Sequence, residues 1–144
     1  MSKITPFFIL LLVACSTPKT VVSKTSFHTL YRSANGGTER STYSHITNNE
    51  EFIKLIDDLK IDASEFNSLL AIDFKENDVL VLNQGQKSTG GYSIDVASVS
   101  WDNEILIIKK VQKSPGKDEI VTMGLTNPYC ITTIPKAKEI KIIE

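Results

Sequence analysis

The sequence predicts a mainly β domain with one early α-helix, its antiparallel strands forming a sandwich-like or strongly curved sheet. Three observations carry that prediction. From Ala71 onward, apolar residues alternate with polar ones or gather in short runs, and turn-forming residues separate the runs. One stretch, Thr47 to Leu59, has helical spacing instead. No βαβ alternation and no internal repeat is present, and short links between successive strands favour antiparallel hairpins.

Taken in order, "FHTLYR" from Phe27 reads as a first strand and "SANGGTERS" from Ser33 as a loop. Thr47-Asn48-Asn49-Glu50 fits a capping box, with Thr47 as N-cap and Glu50 reaching back. Phe52, Ile53, Ile56 and Leu59 then share one helix face, while Lys54, Asp57 and Asp58 point to water. "DASEFNSLL" from Asp62 adds a further helical turn or two. "AIDF" from Ala71 is a short strand and "KEND" a turn. "VLVLN" from Val79 is continuously apolar, as expected of a strand covered on both faces. Tyr92, Ile94 and Val96 alternate with Ser93 and Asp95, and the parity then switches to Val99 and Trp101. A bulge near Ala97–Ser98 accounts for that switch. "DN" turns into the strand "EILIIKKV", and "SPGKDE" is a turn. "IVTMGL", "CITTIP" and "EIKIIE" complete the strands. Val79, Val81, Ile94, Trp101, Leu106 and Ile108 are expected to meet in one core.

Ahead of the domain, Lys3 precedes the apolar run "PFFILLLVA", which is too short to span a bilayer and is flanked like a secretory signal. It closes in "LVAC", Leu12 to Cys15, which resembles a bacterial lipobox. Residues 1–14 therefore read as a lipoprotein signal peptide, Cys15 as the lipidated residue and 15–24 as a tether rich in small polar residues. Residues 25–144 read as a single domain. Each buried acyl methylene contributes about 0.8 kcal/mol, so several chains hold the protein to the bacterial membrane. The expected location is the cell envelope, most readily the outer membrane, facing either the periplasm or the exterior.

Composition narrows the function classes. The formal net charge is −1, which leaves no electrostatic footprint for nucleic acid. With Cys15 acylated, Cys130 has no disulfide partner and no metal-spaced cysteine set remains. Cys130 reads as a small buried hydrophobe, since no basic neighbour in sequence would lower its pKa. His28 and His45 belong to no recognisable pattern, and neither HExxH nor GxSxG occurs. Asp73 and Asp95 read as structural carboxylates. No catalytic residue, metal site or cofactor is therefore nominated, and the chain is read as non-enzymatic.

What remains is "KSTGGYSI", Lys87 to Ile94. Gly90 and Gly91 allow backbone angles that other residues resist, and they leave backbone groups open to a partner. Tyr92 offers a large amphipathic contact. The loop either only supports the sheet or also meets another protein.

The order of "NDVLVLNQGQKSTGGYSIDVASV", "SPG" and "NPYCITTIPK" resembles the carboxy-terminal domain of the protease complex subunit PrcB family, over about residues 77–136. The resemblance implies an accessory or assembly role beside a secreted subtilisin-like protease or its precursor. A looser similarity links the loops to chagasin-like inhibitors of cysteine peptidases. Thr89, Gly90, Gly91 and Tyr92 resemble the first inhibitory loop of those proteins. Pro128 and Tyr129 resemble the third, although Asn127 stands where those proteins have arginine. These six residues are the candidate partner-binding set. The sequence thus points to a membrane-anchored interaction lipoprotein. The alternatives are a protease inhibitor and a purely structural envelope lipoprotein.

Overall fold

The computed structural model describes residues 23–62 and 71–144, which leaves the signal, Cys15 and most of "DASEFNSLL" outside the described residues. Among the described residues, ten strands and one helix follow one another: β1 (Ser23–Lys24), β2 (His28–Ser33), β3 (Thr42–Ile46), α1 (Asn49–Asp58), β4 (Asn77–Asn83), β5 (Lys87–Thr89), β6 (Ser93–Asp102), β7 (Ile105–Lys113), β8 (Met123–Thr126), β9 (Tyr129–Pro135) and β10 (Glu139–Ile143). The strands form two four-stranded sheets, ordered β1-β6-β7-β10 and β2-β9-β4-β3, and a separate ribbon of β5 and β8. This is a mainly β, sandwich-like architecture with one helix. Among the described residues, no helix is long and apolar enough to cross a membrane.

The apolar run at 79–82 shows why the fold has three layers. Side chains alternate across a strand. Leu80 and Leu82 join Ile94, Val96, Val99, Leu106, Ile108 and Cys130 between the two sheets. Val79 and Val81 face the other way and meet Phe52, Ile56, Tyr129 and Ile131 under the helix. Both faces of β4 are covered, as its composition predicts, but the single expected core is really two. Val79 and Val81 belong to the helix-facing cluster, and Trp101 only flanks the other one.

The helix starts one residue later than the capping-box reading has it. Asn48, not Thr47, is the N-cap: its extended backbone lets Oδ1 accept from the Glu51 N–H at 2.9 Å. Phe52 and Ile56 are fully buried, whereas Ile53 is 45 % exposed. Leu55 flanks the cluster in its place, beside the expected Leu59.

In β6 the ladder to β7 shifts between Val96 and Ser98, so Ala97 is the extra residue of a bulge. The shift puts Val99 back on the core side after Val96. The link from β6 to β7 is a tight hairpin with Asn103 at φ 55°. Not every pairing is antiparallel. The chain leaves β9 in one sheet and enters β10 in the other, and β10 therefore runs parallel to β7. Ala71–Phe74 is not a strand either. Asp73 accepts from the Lys75 N–H through Oδ1 and from the Glu76 and Asn77 N–H groups through its carbonyl, which turns the chain into β4.

The strand directions give the sandwich two distinct ends. The chain enters at Ser23, opposite Trp101 near the β6–β7 turn. The loops 34–41, 84–92 and 114–128 all lie at the other end, where β2, β4 and β7 finish and β3, β6 and β9 begin. At about 3.3 Å per residue, the ten residues of β6 put about 30 Å between the ends.

Candidate functional site: a three-loop end with an apolar ribbon

Backbone hydrogen bonds knit the three loops together. Asn127 N–H donates to the Ala34 carbonyl (3.0 Å) and Gly37 N–H to the Asn127 carbonyl (2.9 Å). The Asn127 amide also donates to the Thr38 carbonyl (3.3 Å). Gln84 N–H reaches the Pro128 carbonyl and Gln86 N–H the Glu39 carbonyl, both at 2.9 Å. Asn127 thus fastens one loop to another. A surface ordered before binding loses less entropy when it binds.

The "TGGY" stretch leads out of the ribbon. Thr126 Oγ1 donates to the Thr89 carbonyl (2.8 Å), and Gly90 N–H donates to the Thr122 carbonyl (3.0 Å). The two glycines do different work. Gly90 is buried, and a Cβ there would fall 2.3 Å from Thr122 Oγ1, so the backbones approach too closely for a side chain. Gly91 has φ +85°, and a Cβ would meet the Pro115 ring at 2.8 Å. Tyr92 is half-buried, with the Lys87 ammonium 5.5 Å from its ring centroid.

The structure also brings Tyr92 and Tyr129 together, though not on equal terms. Both line a cleft of about 150 Å³ with Arg32, Ser33 and Ala34. Tyr129 is only 3 % exposed and Pro128 is buried as well. Tyr129 packs on the helix side of the sheet, with its ring centroid 5.9 Å from that of Tyr31. Pro128 and Tyr129 therefore support the loop end from behind, and the proline–aromatic pair does not project as a wedge would. A larger hollow of about 640 Å³ runs along α1 between Ile53 and Ile61, away from these loops.

Sequence reasoning missed the most exposed feature of this end. Ile120 is 99 % exposed, Met123 90 % and Leu125 66 %. "IVTMGL" reads as a strand from Ile120, but only Met123–Thr126 forms one, and it pairs with β5 in the ribbon. No layer of the sandwich covers it. No local signal marked it: the run from Ile120 to Pro135 holds no Asp, Glu, Lys, Arg or His, and it includes the buried β9 as well as the exposed ribbon.

The titratable residues hold structural places. Asp95 joins the sheets, accepting from Thr29 Oγ1 (2.8 Å) and Arg32 Nε (2.6 Å). His45 Nε2 lies 2.9 Å from the buried Asp78 at the opposite end. Among the described residues, no group of three His, Cys, Asp or Glu side chains could hold a metal ion. Burial pushes the Cys130 thiol up to about 11, and the nearby Asp95 carboxylate adds to the effect. At pH 8 only about one thiol in a thousand is then ionised. In the full-length Cys15→Ser chain, where Cys130 is the one thiol, labelling with a maleimide at pH 8 should be at least about a hundredfold slower folded than in denaturant. Equal rates would place Cys130 at the surface.

Comparison with known proteins agrees with part of this picture. No curated protein and no solved structure matches the chain. Residues 79–135 match the family model described as PrcB C-terminal. That segment runs from β4 to the end of β9 and supplies two of the three loops, "TGGY" and the β5–β8 ribbon. With β4 to β9 and two of the three end loops inside the match, residues 79–135 of this chain are similar to the PrcB C-terminal domain.

Proposed function

We propose that this is a membrane-anchored, non-enzymatic interaction lipoprotein of the bacterial envelope, an accessory or assembly partner of a secreted protease. One observation carries the reading. A hydrogen-bonded three-loop platform with exposed apolar side chains lies at the end of the sandwich away from the chain's entry. Cys15 at the head of the tether would hold the entry end to the bilayer and turn the loop end outward. The family match adds the link to a protease complex. An inhibitor of the chagasin type would need its proline–aromatic pair at the surface, and Pro128 and Tyr129 are buried.

The test has two arms. Cys15→Ser should release the protein from the membrane fraction and leave its signal uncleaved by the lipoprotein peptidase. Membrane partitioning at normal mass would refute the anchor. Tyr92→Ala should leave the melting temperature within a few degrees. It should also lower capture of a protease or its precursor from the native envelope by about tenfold, or about 1.4 kcal/mol. If it unfolds the domain, the loop is mainly structural. If it alters neither, the contact surface lies elsewhere.

A further inference from the structure

The space between the two sheets has an open margin near the loop end. β3 and β10 are the last strands of their sheets, and β3 begins, and β10 finishes, on the side of the loops. Strand register turns one set of side chains into this margin. Tyr43 stands opposite Leu82 on the β3–β4 ladder, and Ile142 opposite Ile108 on the β10–β7 ladder. Each shares its neighbour's face, the one toward the other sheet. Tyr43 is nonetheless 53 % exposed. With Leu82, Ile94 and Ile142 it lines a cleft of about 310 Å³, at the small end of the range for ligand pockets. Leu82 and Ile94 belong to the inter-sheet core, so the floor of the cleft is apolar.

One side chain in the cleft breaks the apolar pattern. Lys110 follows Leu106 and Ile108 at every second position of β7, so it too faces the other sheet. An inward lysine commonly guards a bare sheet edge, but β7 lies between β6 and β10. The Lys110 side chain is only 18 % exposed, and its ammonium meets Glu144 Oε1 at 3.0 Å, from a side chain that is 86 % exposed. A pair with one partner so open contributes little and exchanges readily for another anion. The neighbouring polar groups are already bonded within the protein. Ser41 Oγ donates to the Asn83 carbonyl, the Thr42 hydroxyl bonds that of Thr38, and Asn83 Oδ1 accepts from the Thr38 N–H.

We infer that this cleft binds an aliphatic monocarboxylate, a fatty acid of medium chain length, with its chain on Leu82 and Ile94 and its carboxylate on Lys110 in place of Glu144. At roughly 30 Å³ per group, the share of a water in the liquid, the volume suits about ten heavy atoms. Glu144 already presents a carboxylate to this ammonium. One ammonium balances one negative charge, which suits a carboxylate better than a phosphate, whose charge is about −1.5 to −2. A peptide terminus would bring N–H and C=O groups that need partners, and Ser41, Thr42 and Asn83 have spent theirs on the protein. The inference does not rest on the proposed protease partner.

The test uses the full-length Cys15→Ser chain, which has no acyl group at residue 15, with decanoate as the probe at neutral pH. Decanoate should bind and should shift the amide resonances of Tyr43, Leu82 and Ile94 more than those of the ribbon. Decanol, with the same chain and no charge, should bind at least about tenfold more weakly. Lys110→Met, which keeps the apolar stem, should weaken decanoate by at least about tenfold and leave decanol unchanged. Glu144→Gln, at an exposed position, should tighten decanoate about two- to fivefold, the range of a surface ion pair. No binding, binding that ignores these substitutions, or shifts confined to other parts of the chain would overturn the inference. So would tighter binding of a peptide that ends in a free apolar residue than of decanoate. Protease capture that depends on Tyr92 is unaffected by any of these outcomes.

Discussion

Asp78→Ala should lower unfolding free energy by about 3–5 kcal/mol, the cost of removing one partner from a buried ionic site. Asp78 is completely buried at the start of β4, and every bond it makes joins a different part of the chain. Oδ2 lies 2.9 Å from His45 Nε2 on β3 and accepts from the Ala137 N–H at 3.0 Å. Oδ1 accepts from the Lys136 ammonium at 3.2 Å, and that ammonium also donates to the Phe74 carbonyl at 2.8 Å. Alanine would leave a buried Ala137 N–H without an acceptor, which alone costs about 1–3 kcal/mol. The Lys136 side chain is 47 % exposed and can turn to water, so its share is small and the total should fall toward the lower end. Asp78→Asn keeps an acceptor and should cost less than half as much. Denaturation midpoints of the two variants measure the difference. Equal losses would mean that the negative charge, which both variants remove, carries the whole effect, and that keeping an acceptor of the same shape recovers nothing.

Neither Asp78 nor its partners was legible in the sequence, and the reason is physical. His45, Asp78 and Lys136 are far apart along the chain and meet only because β3 pairs with β4 and the β9–β10 link returns to the same end. Local pattern carries no such information. It does carry what is decided locally. The parity switch after Val96 marked the bulge at Ala97, and the unbroken apolar run at 79–82 marked a strand with both faces covered. β3 escaped notice because it is an edge strand with three of its five residues exposed, so "TYSHI" lacks an apolar face. The helix start slipped by one because Thr47 and Asn48 are both competent caps, and the choice depends on where β3 ends. At the candidate site, the sequence located "TGGY". The burial of Tyr129 and the exposure of Met123 depend on which layer lies above each strand, which alternation alone cannot tell.

Phe52→Ala should cost about 3–5 kcal/mol, the usual loss for deleting a buried phenylalanine ring. Phe52 is completely shielded from solvent, and its ring centroid lies 5.9 Å from that of Phe74, just before β4. The helix itself contributes little to its own stability. It has ten residues and no basic residue in its last turn, and the two acidic residues of its first turn add only modestly. An isolated helix of that length is marginal in water, so packing holds it. Phe52 and Ile56 are its two fully buried side chains, and alanine at 52 would remove the larger. The consequence should reach the loop end. Tyr129 belongs to the same cluster as Phe52 and also lines the cleft beside Tyr92. Loss of the ring should therefore speed amide exchange first in α1 and then at the start of β9, before the inter-sheet core opens. Partner capture should weaken with it even at temperatures where the sandwich remains folded. Phe52→Leu, which refills most of the volume, should recover much of the stability and the capture together. A loss below about 1 kcal/mol for Phe52→Ala, or exchange that speeds uniformly through both sheets, would mean that the helix layer does not brace the loop end.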